Sequence, residues 1–132
     1  TYLNMRNGVT DALNAFNATT NSLDCIEVNA EDVDYATTNW TTGNGNIDLG
    51  VTFANICSSN PNYTNVPDDN FEQALIDLGY DDTIDNFVLT ANISSVTSLD
   101  VNNEEISDLT GIKDFSSLTD LSCYNNMVKR RY

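Results

Sequence analysis

The feature that most constrains the fold is a stretch near the end of the chain that matches itself after a shift of 22 residues. In this overlap Leu99 falls on Leu121, and Val101 falls on Cys123. The later copy begins at Leu118 and has the pattern L-x-x-L-x-C-x-x-N. Apolar residues at this spacing, repeated every ~20–29 residues, build solenoids in which each repeat supplies one coil. We therefore predict stacked parallel strands here.

The pattern is the signature of a leucine-rich repeat, and a weaker form of it occurs near the start of the chain. Leu13, Phe16 and Ala18 carry the apolar spacing, and Asn21 takes the position that Asn126 holds later. In a solenoid this amide bonds the backbone of neighbouring coils, so we expect Asn21 to form an inner ladder. The sequence thus predicts the closing coils of one array followed by the opening coils of another.

Residues 29–65 lose the repeat rhythm and contain a predicted cap over the first coils. The only tryptophan, Trp40, is interpreted as covering the open end of their core, because a terminal coil would otherwise expose its apolar interior. Apolar residues alternate over 47–53, which predicts a strand with one buried face. Residues 58–65 are polar, contain a proline and are predicted to form a linker.

Three cysteines are present, and two of them bracket the cap. In a secreted chain, a disulfide between Cys25 and Cys57 would tie the last coil to the end of its cap. Cys123 stands at an inward repeat position and is interpreted as a buried free thiol. The other pairings stay open on these grounds.

The clearest helix follows the linker. Asp69 is predicted as its N-cap, with Glu72 three residues later completing a capping box, and Gly79 as its end. One face is apolar: Phe71, Ala74, Leu75 and Leu78. Because so short a helix is unstable alone, we expect it to cap the array that begins near Phe87.

The predicted fold class is α+β, mainly β, with pieces of leucine-rich-repeat solenoid and a capping helix. Three segments are predicted. Residues 1–57 form closing repeat-like coils with a disulfide-linked cap, residues 58–65 form the linker, and residues 66–132 form the capping helix and opening repeats.

The charge of the chain argues against several partners. Five basic residues against twenty acidic ones give a net charge of −15, which repels nucleic-acid backbones and anionic lipid. We therefore expect no nucleic-acid partner and no membrane insertion. Lys129, Arg130 and Arg131 concentrate the basic charge at one end, where they form a possible inter-subunit tail.

Catalytic chemistry is not expected. The chain has no histidine, which removes the commonest general base and the commonest transition-metal ligand. The acidic run 81–85 lacks the glycine and glutamate of an EF-hand loop, so a solvated loop is favoured over a calcium site. We expect no catalytic residues, no metal and no cofactor.

Two other surface features are candidates for function. Thr83 follows Asp82 in a pattern that resembles a bacterial O-glycosylation acceptor. The positions flanking the apolar strand residues would form the concave face of a solenoid. This possible partner-binding face is small, polar and acidic and comprises Asp100, Asn102, Asp120, Ser122 and Tyr124.

With these residues placed, the chain resembles the secreted, cell-surface leucine-rich-repeat proteins of bacteria. The phrases V-P-D-D-N-F-E-Q-A-L-I-D-L-G-Y-D-D and V-L-T-A-N-I-S-S-V-T-S-L-D-V are similar to that family's N-terminal cap and first repeat. The phrase F-N-A-T-T-N-S-L-D-C-I-E-V, with N-W-T downstream, is similar to its closing repeat and C-terminal cap. The resemblance implies a curved solenoid, export to the bacterial cell surface, a role in adhesion or protein contact, and pairing of Cys25 with Cys57.

The order of these parts differs from the family, because the end of an array comes first. One interpretation is that the chain joins two arrays in a longer surface protein. The other, which we rank first, is a non-enzymatic structural subunit of an adhesin or filament that assembles head-to-tail with copies of itself through open coils. The alternative function is a monomeric binding module that recognises another surface protein or a glycan on its concave face.

Overall fold

The computed structural model describes residues 1–8, 10–13 and 15–129, without the side chain of Asp11. The structure mixes small sheets with short helices, as predicted at this coarse level. It divides into two compact units, Thr1–Asn60 and Pro61–Tyr132, each with its own apolar core.

The first unit is built on a three-stranded parallel sheet in the order β1-β2-β3. Its strands are β1 (Tyr2–Asn4), β2 (Cys25–Glu27) and β3 (Thr52–Ala54), with helix α1 (Val33–Asn39) between the last two. Short 3₁₀ turns occupy Thr10–Ala12 and Ala30–Asp32. The register places Leu3, Ile26 and Phe53 side by side.

Trp40 belongs to the core of the first unit, as predicted. Its ring stacks on Phe16 with centroids 4.1 Å apart and lies at a tilt to Phe53 at 5.8 Å. Only 5% of Trp40 is exposed, and Ile26 beneath the sheet is fully buried. Aromatic contacts of this kind contribute beyond the burial of area.

Two expectations for the first unit are wrong. The alternation over 47–53 does not form one strand, because Gly50 turns the chain at φ 90° and leaves Leu49 91% exposed. Asn21 forms no inner ladder: it is exposed, and its Nδ2 donates to the carbonyl oxygen of Thr19, only two residues away. The carboxylate of Asp48 accepts from the Asn21 backbone N–H instead, so a local turn replaces the coil contact.

The Cys25–Cys57 disulfide is present and fastens residues 55–60 over the sheet. Cys25 and Glu27 alternate with Ile26, so they lie on the opposite face of β2 from the core. Glu27 is fully buried there, and its Oε1 accepts from Cys57 N at 2.9 Å and Asn60 Nδ2 at 2.8 Å. The disulfide and this carboxylate therefore hold the same covering segment.

The second unit contains two small sheets. Strand β4 (Tyr63–Asn65) pairs antiparallel with β5 (Phe87–Leu89), and β6 (Ser98–Asp100) pairs parallel with β7 (Asp120–Ser122). Its helices are α2 (Asp69–Asp77) and α3 (Thr90–Ile93), with a 3₁₀ turn at Ile112–Asp114. Leu99 pairs with Leu121, which confirms the 22-residue register read from the sequence.

Helix α2 forms where predicted, but its N-cap is Asp68 and not Asp69. Asp68 Oδ1 accepts from Phe71 N at 3.0 Å. Its Oδ2 accepts from the backbone N–H groups of Ser107 and Asp108 at 2.9 and 3.0 Å. The carboxylate thus joins the helix start to a loop almost 40 residues later in the chain, which local spacing does not reveal.

The predicted apolar face of α2 is buried except at its end. Phe71, Ala74 and Leu75 lie in the core, whereas Leu78 is 45% exposed. Gly79 follows at φ 81°, the left-handed conformation that ends helices, and donates to Ile76 O at 2.9 Å.

The predicted linker 58–65 contains ordered contacts on both sides of the division between units. Asn60 bonds Glu27 in the first unit, and residues 63–65 form strand β4 in the second.

Candidate interaction surface

The end of the β6–β7 sheet is shaped by one asparagine. Asn126 Oδ1 accepts from the backbone N–H groups of Glu104 at 3.1 Å and Ile106 at 3.0 Å. Its Nδ2 donates to the carbonyl oxygens of Val101 at 2.7 Å and Cys123 at 3.0 Å. The amide therefore uses both of its ends to fix the last coil onto the one before it.

The last coil leaves its apolar residues uncovered. Leu99 is 1% exposed, whereas Leu121, its neighbour in register, is 43% exposed. Ile106 is fully buried, whereas Val128, 22 residues later, is 41% exposed. Each inward residue is thus buried only where another coil follows. We call the exposed set the open row: Leu121, Met127 and Val128.

A second uncovered edge lies in the first unit. Leu3 on β1 is the register neighbour of Ile26, but it is 37% exposed while Ile26 is fully buried. Strand β1 bonds to another strand on one side only. Its free backbone groups can therefore accept a further strand.

The predicted partner-binding residues do lie together on β6 and β7, on the face opposite Leu99 and Leu121. The Oδ1 of Asn102 accepts from Ser122 Oγ at 3.0 Å and from Tyr124 N at 2.8 Å, so this amide joins the two coils. Asp100, Asp120 and Tyr124 remain exposed. They are the part of this face that a partner can reach.

The remaining predicted residues are scattered. Cys123 is free, but it is half-buried and not fully buried as predicted, because it lies on the last described coil. Thr83 is exposed, and its hydroxyl donates to Asp82 Oδ1 at 3.0 Å. Lys129 is exposed. Arg130 and Arg131 lie outside the described residues.

Two acidic side chains near the α2 helix have altered acidity. Burial raises the pKa of Glu72 above its ordinary value of 4.5, although its Oε1 accepts from Asp85 N and Phe87 N. Burial also raises the pKa of Asp81, aided by the nearby carboxylates of Asp85 and Asp82. Glu72 is fully exposed to neither water nor cations, since it is 0% accessible and its Oε2 has no hydrogen-bond partner in the structure.

The Glu72→Gln substitution is expected to weaken the pH dependence of stability. The folded protein holds the Glu72 proton more tightly than the unfolded chain, so this contribution is fully present below pH 4.5 and is lost as the pH rises through the raised pKa. Glutamine keeps an acceptor for the two N–H groups and does not titrate. Thermal unfolding between acidic and neutral pH should show a smaller fall in Tm for this variant than for wild type.

The matched control is Glu104→Gln, which removes an exposed carboxylate from the same unit. It should keep the wild-type slope of Tm against pH. Equal slopes in all three proteins would contradict the buried, proton-holding role of Glu72.

Over residues 1–8, 10–13 and 15–129, no group of three or more His, Cys, Asp or Glu side chains is placed to hold a metal ion. None of the helices in the described part of the chain is long and apolar enough to cross a membrane.

Comparison with family models, with curated proteins and with solved structures finds no match for this chain. The argument for function therefore rests on the residues themselves. Reasoning from sequence missed two features: the open row at Met127 and Val128, and a cleft beside Trp40. The first had a signal, because the 22-residue overlap already aligned Val128 with the inward position of Ile106.

Proposed function

We propose that this chain is a non-enzymatic extracellular module of a bacterial surface adhesin or filament, built from leucine-rich-repeat solenoid pieces. The observation that carries this proposal is the open row, whose residues are exposed at positions that are buried one coil earlier. Monomeric soluble proteins seldom expose contiguous apolar patches of this kind without a partner. The Cys25–Cys57 disulfide is consistent with an oxidising compartment outside the cytosol.

The proposed partner is a second copy, whose β1 continues the sheet beyond β7. Leu3 on β1 and Leu121 on β7 occupy the same inward position relative to their neighbours Ile26 and Leu99. Stacking β1 on β7 would therefore pair Leu121 with Leu3, and Cys123 with Met5. The heterologous contact does not close, so it extends into a filament.

Charge is compatible with this contact. In the proposed register Asp120 faces Tyr2 and Ser122 faces Asn4, so no like charges meet across the strands. The tail at Lys129 brings three of the five basic residues, Arg130 and Arg131 included, towards the acidic body of the next copy.

Met5→Cys should cross-link copies through the native Cys123. Neighbouring strands are ~4.8 Å apart, and disulfides form when the two Cα atoms are about 4.4–6.8 Å apart. Mild oxidation should therefore give a ladder of covalent oligomers on a non-reducing gel. Light scattering of the wild-type protein should show growth of oligomers with concentration.

Two controls keep this experiment specific. Met5→Cys combined with Cys123→Ala should lose the ladder, and Leu49→Cys, which places a cysteine at a side chain that is 91% exposed, should not give it. A wild-type protein that stays monomeric at all concentrations, with no ladder from Met5→Cys, would contradict head-to-tail assembly.

That monomeric outcome would favour the second candidate function, a binding module that recognises a protein or a glycan. The observation behind it is the exposed face at Asp100, Asp120 and Tyr124, of which Tyr124 is 62% exposed. Its acidic character suits a basic or hydroxyl-rich partner. The face spans only two coils, which is small for tight binding.

A further inference from the structure

An open cleft of about 430 Å³ lies beside Trp40 in the first unit. Trp40, Val51 and Phe53 supply its apolar surface, and the exposed residues Thr37 and Thr52 supply hydroxyl groups. The volume lies within the range of roughly 300–1,000 Å³ that is usual for small-molecule sites. Nothing in the assembly proposed above uses this cleft.

The cleft has hydrogen-bonding capacity that the fold leaves unused. Among the described residues, none bonds the Thr37 hydroxyl or accepts from the indole nitrogen of Trp40, and neither polar atom is fully enclosed. The Thr52 hydroxyl donates to Asp24 O at 3.2 Å and keeps its oxygen as an acceptor. A ligand in the cleft can therefore meet both donors and acceptors.

The charge of the site selects against ions. None of the lining residues carries a charge, so a bound cation would lack a counter-ion, although the chain contains twenty acidic residues. Anions are disfavoured by the net charge of −15. The remaining class is a neutral ligand with an apolar face and polar edges.

We propose that this cleft binds a neutral saccharide ring, such as one unit of a glycan chain. The C–H face of a pyranose packs on the apolar surface of Phe53 and Val51, and its hydroxyl groups bond Thr37, Thr52 and the Trp40 indole N–H. Aromatic side chains with an apolar body and a polar edge suit such amphipathic rings.

Trp40 is the only tryptophan in the chain, so its fluorescence reports on the cleft directly. Titration with the methyl glycosides of glucose, galactose, mannose and N-acetylglucosamine at millimolar concentrations should change the emission for at least one of them. Saturation-transfer-difference NMR should show the ring protons of that glycoside in contact with the protein. Glucuronate, which has the same ring with a negative charge, should bind more weakly.

Thr37→Ala and Thr38→Ala form a matched pair, since both threonines are exposed on α1 and only Thr37 lines the cleft. Loss of one hydrogen bond should weaken binding about two- to tenfold in Thr37→Ala, while Thr38→Ala should bind like wild type. Circular dichroism should show both variants folded. No response to any of the neutral glycosides, equal binding of glucuronate, or equal losses in the two variants would overturn the proposal.

Discussion

Replacing both Cys25 and Cys57 with alanine is expected to lower the free energy of unfolding of the first unit by about 3–4 kcal/mol. The two residues are 32 positions apart, so the disulfide removes much of the freedom of the unfolded chain. It also holds residues 55–60 over β2, where the buried Glu27 carboxylate depends on Cys57 N and Asn60 Nδ2. Loss of the covalent link would let water reach this carboxylate. Thermal and urea unfolding would measure the change.

Cys123→Ala is the control, because that thiol is free and belongs to the second unit. It should leave the unfolding of the first unit unchanged. Reduction of the wild-type protein should reproduce the effect of the double variant. A loss of less than about 1 kcal/mol in the double variant would mean that the strap is held by noncovalent contacts alone.

Gly111→Ala is expected to destabilise the second unit by roughly 2–5 kcal/mol, combining backbone strain with overpacking. Gly111 has φ 105°, which side-chain-bearing residues rarely adopt. An added Cβ would lie 2.8 Å from Asn65 O and 3.0 Å from Val66 Cγ2. Since the first of these atoms is backbone in strand β4, the clash cannot be relieved by turning a side chain.

Gly79→Ala separates the two causes. Gly79 also has a positive φ, of 81°, but no atom lies within 4 Å of where its Cβ would be. This control should lose only about 1–2 kcal/mol, the cost of the left-handed conformation. Equal losses in the two variants, measured by urea unfolding, would contradict a close contact between Gly111 and β4.

The repeat spacing predicted the β6–β7 sheet well because it depends on relations along one face of the chain. An offset of 22 residues between Leu99 and Leu121 is sufficient to set the register of two parallel strands. The same reasoning failed at Asn21, where the spacing was similar. There Asp48, distant in sequence, bonds the backbone and stabilises a turn instead.

Capping signals were informative to within one residue. Two consecutive aspartates, Asp68 and Asp69, precede α2, and either can cap a helix from its local sequence. Asp68 takes the role because its second oxygen also accepts from Ser107 and Asp108. Contacts between distant residues thus decided between two equivalent local choices.

The amino-acid sequence was enough to predict the position of α2, the 22-residue register and, through a family resemblance, the Cys25–Cys57 pairing. These features follow from periodicity and from residue types at given spacings. Burial depends on which distant segment covers a side chain, and spacing carries no information about that. The tertiary structure alone therefore revealed the enclosed carboxylates of Glu27 and Glu72, the cleft beside Trp40, and the exposure of the open row.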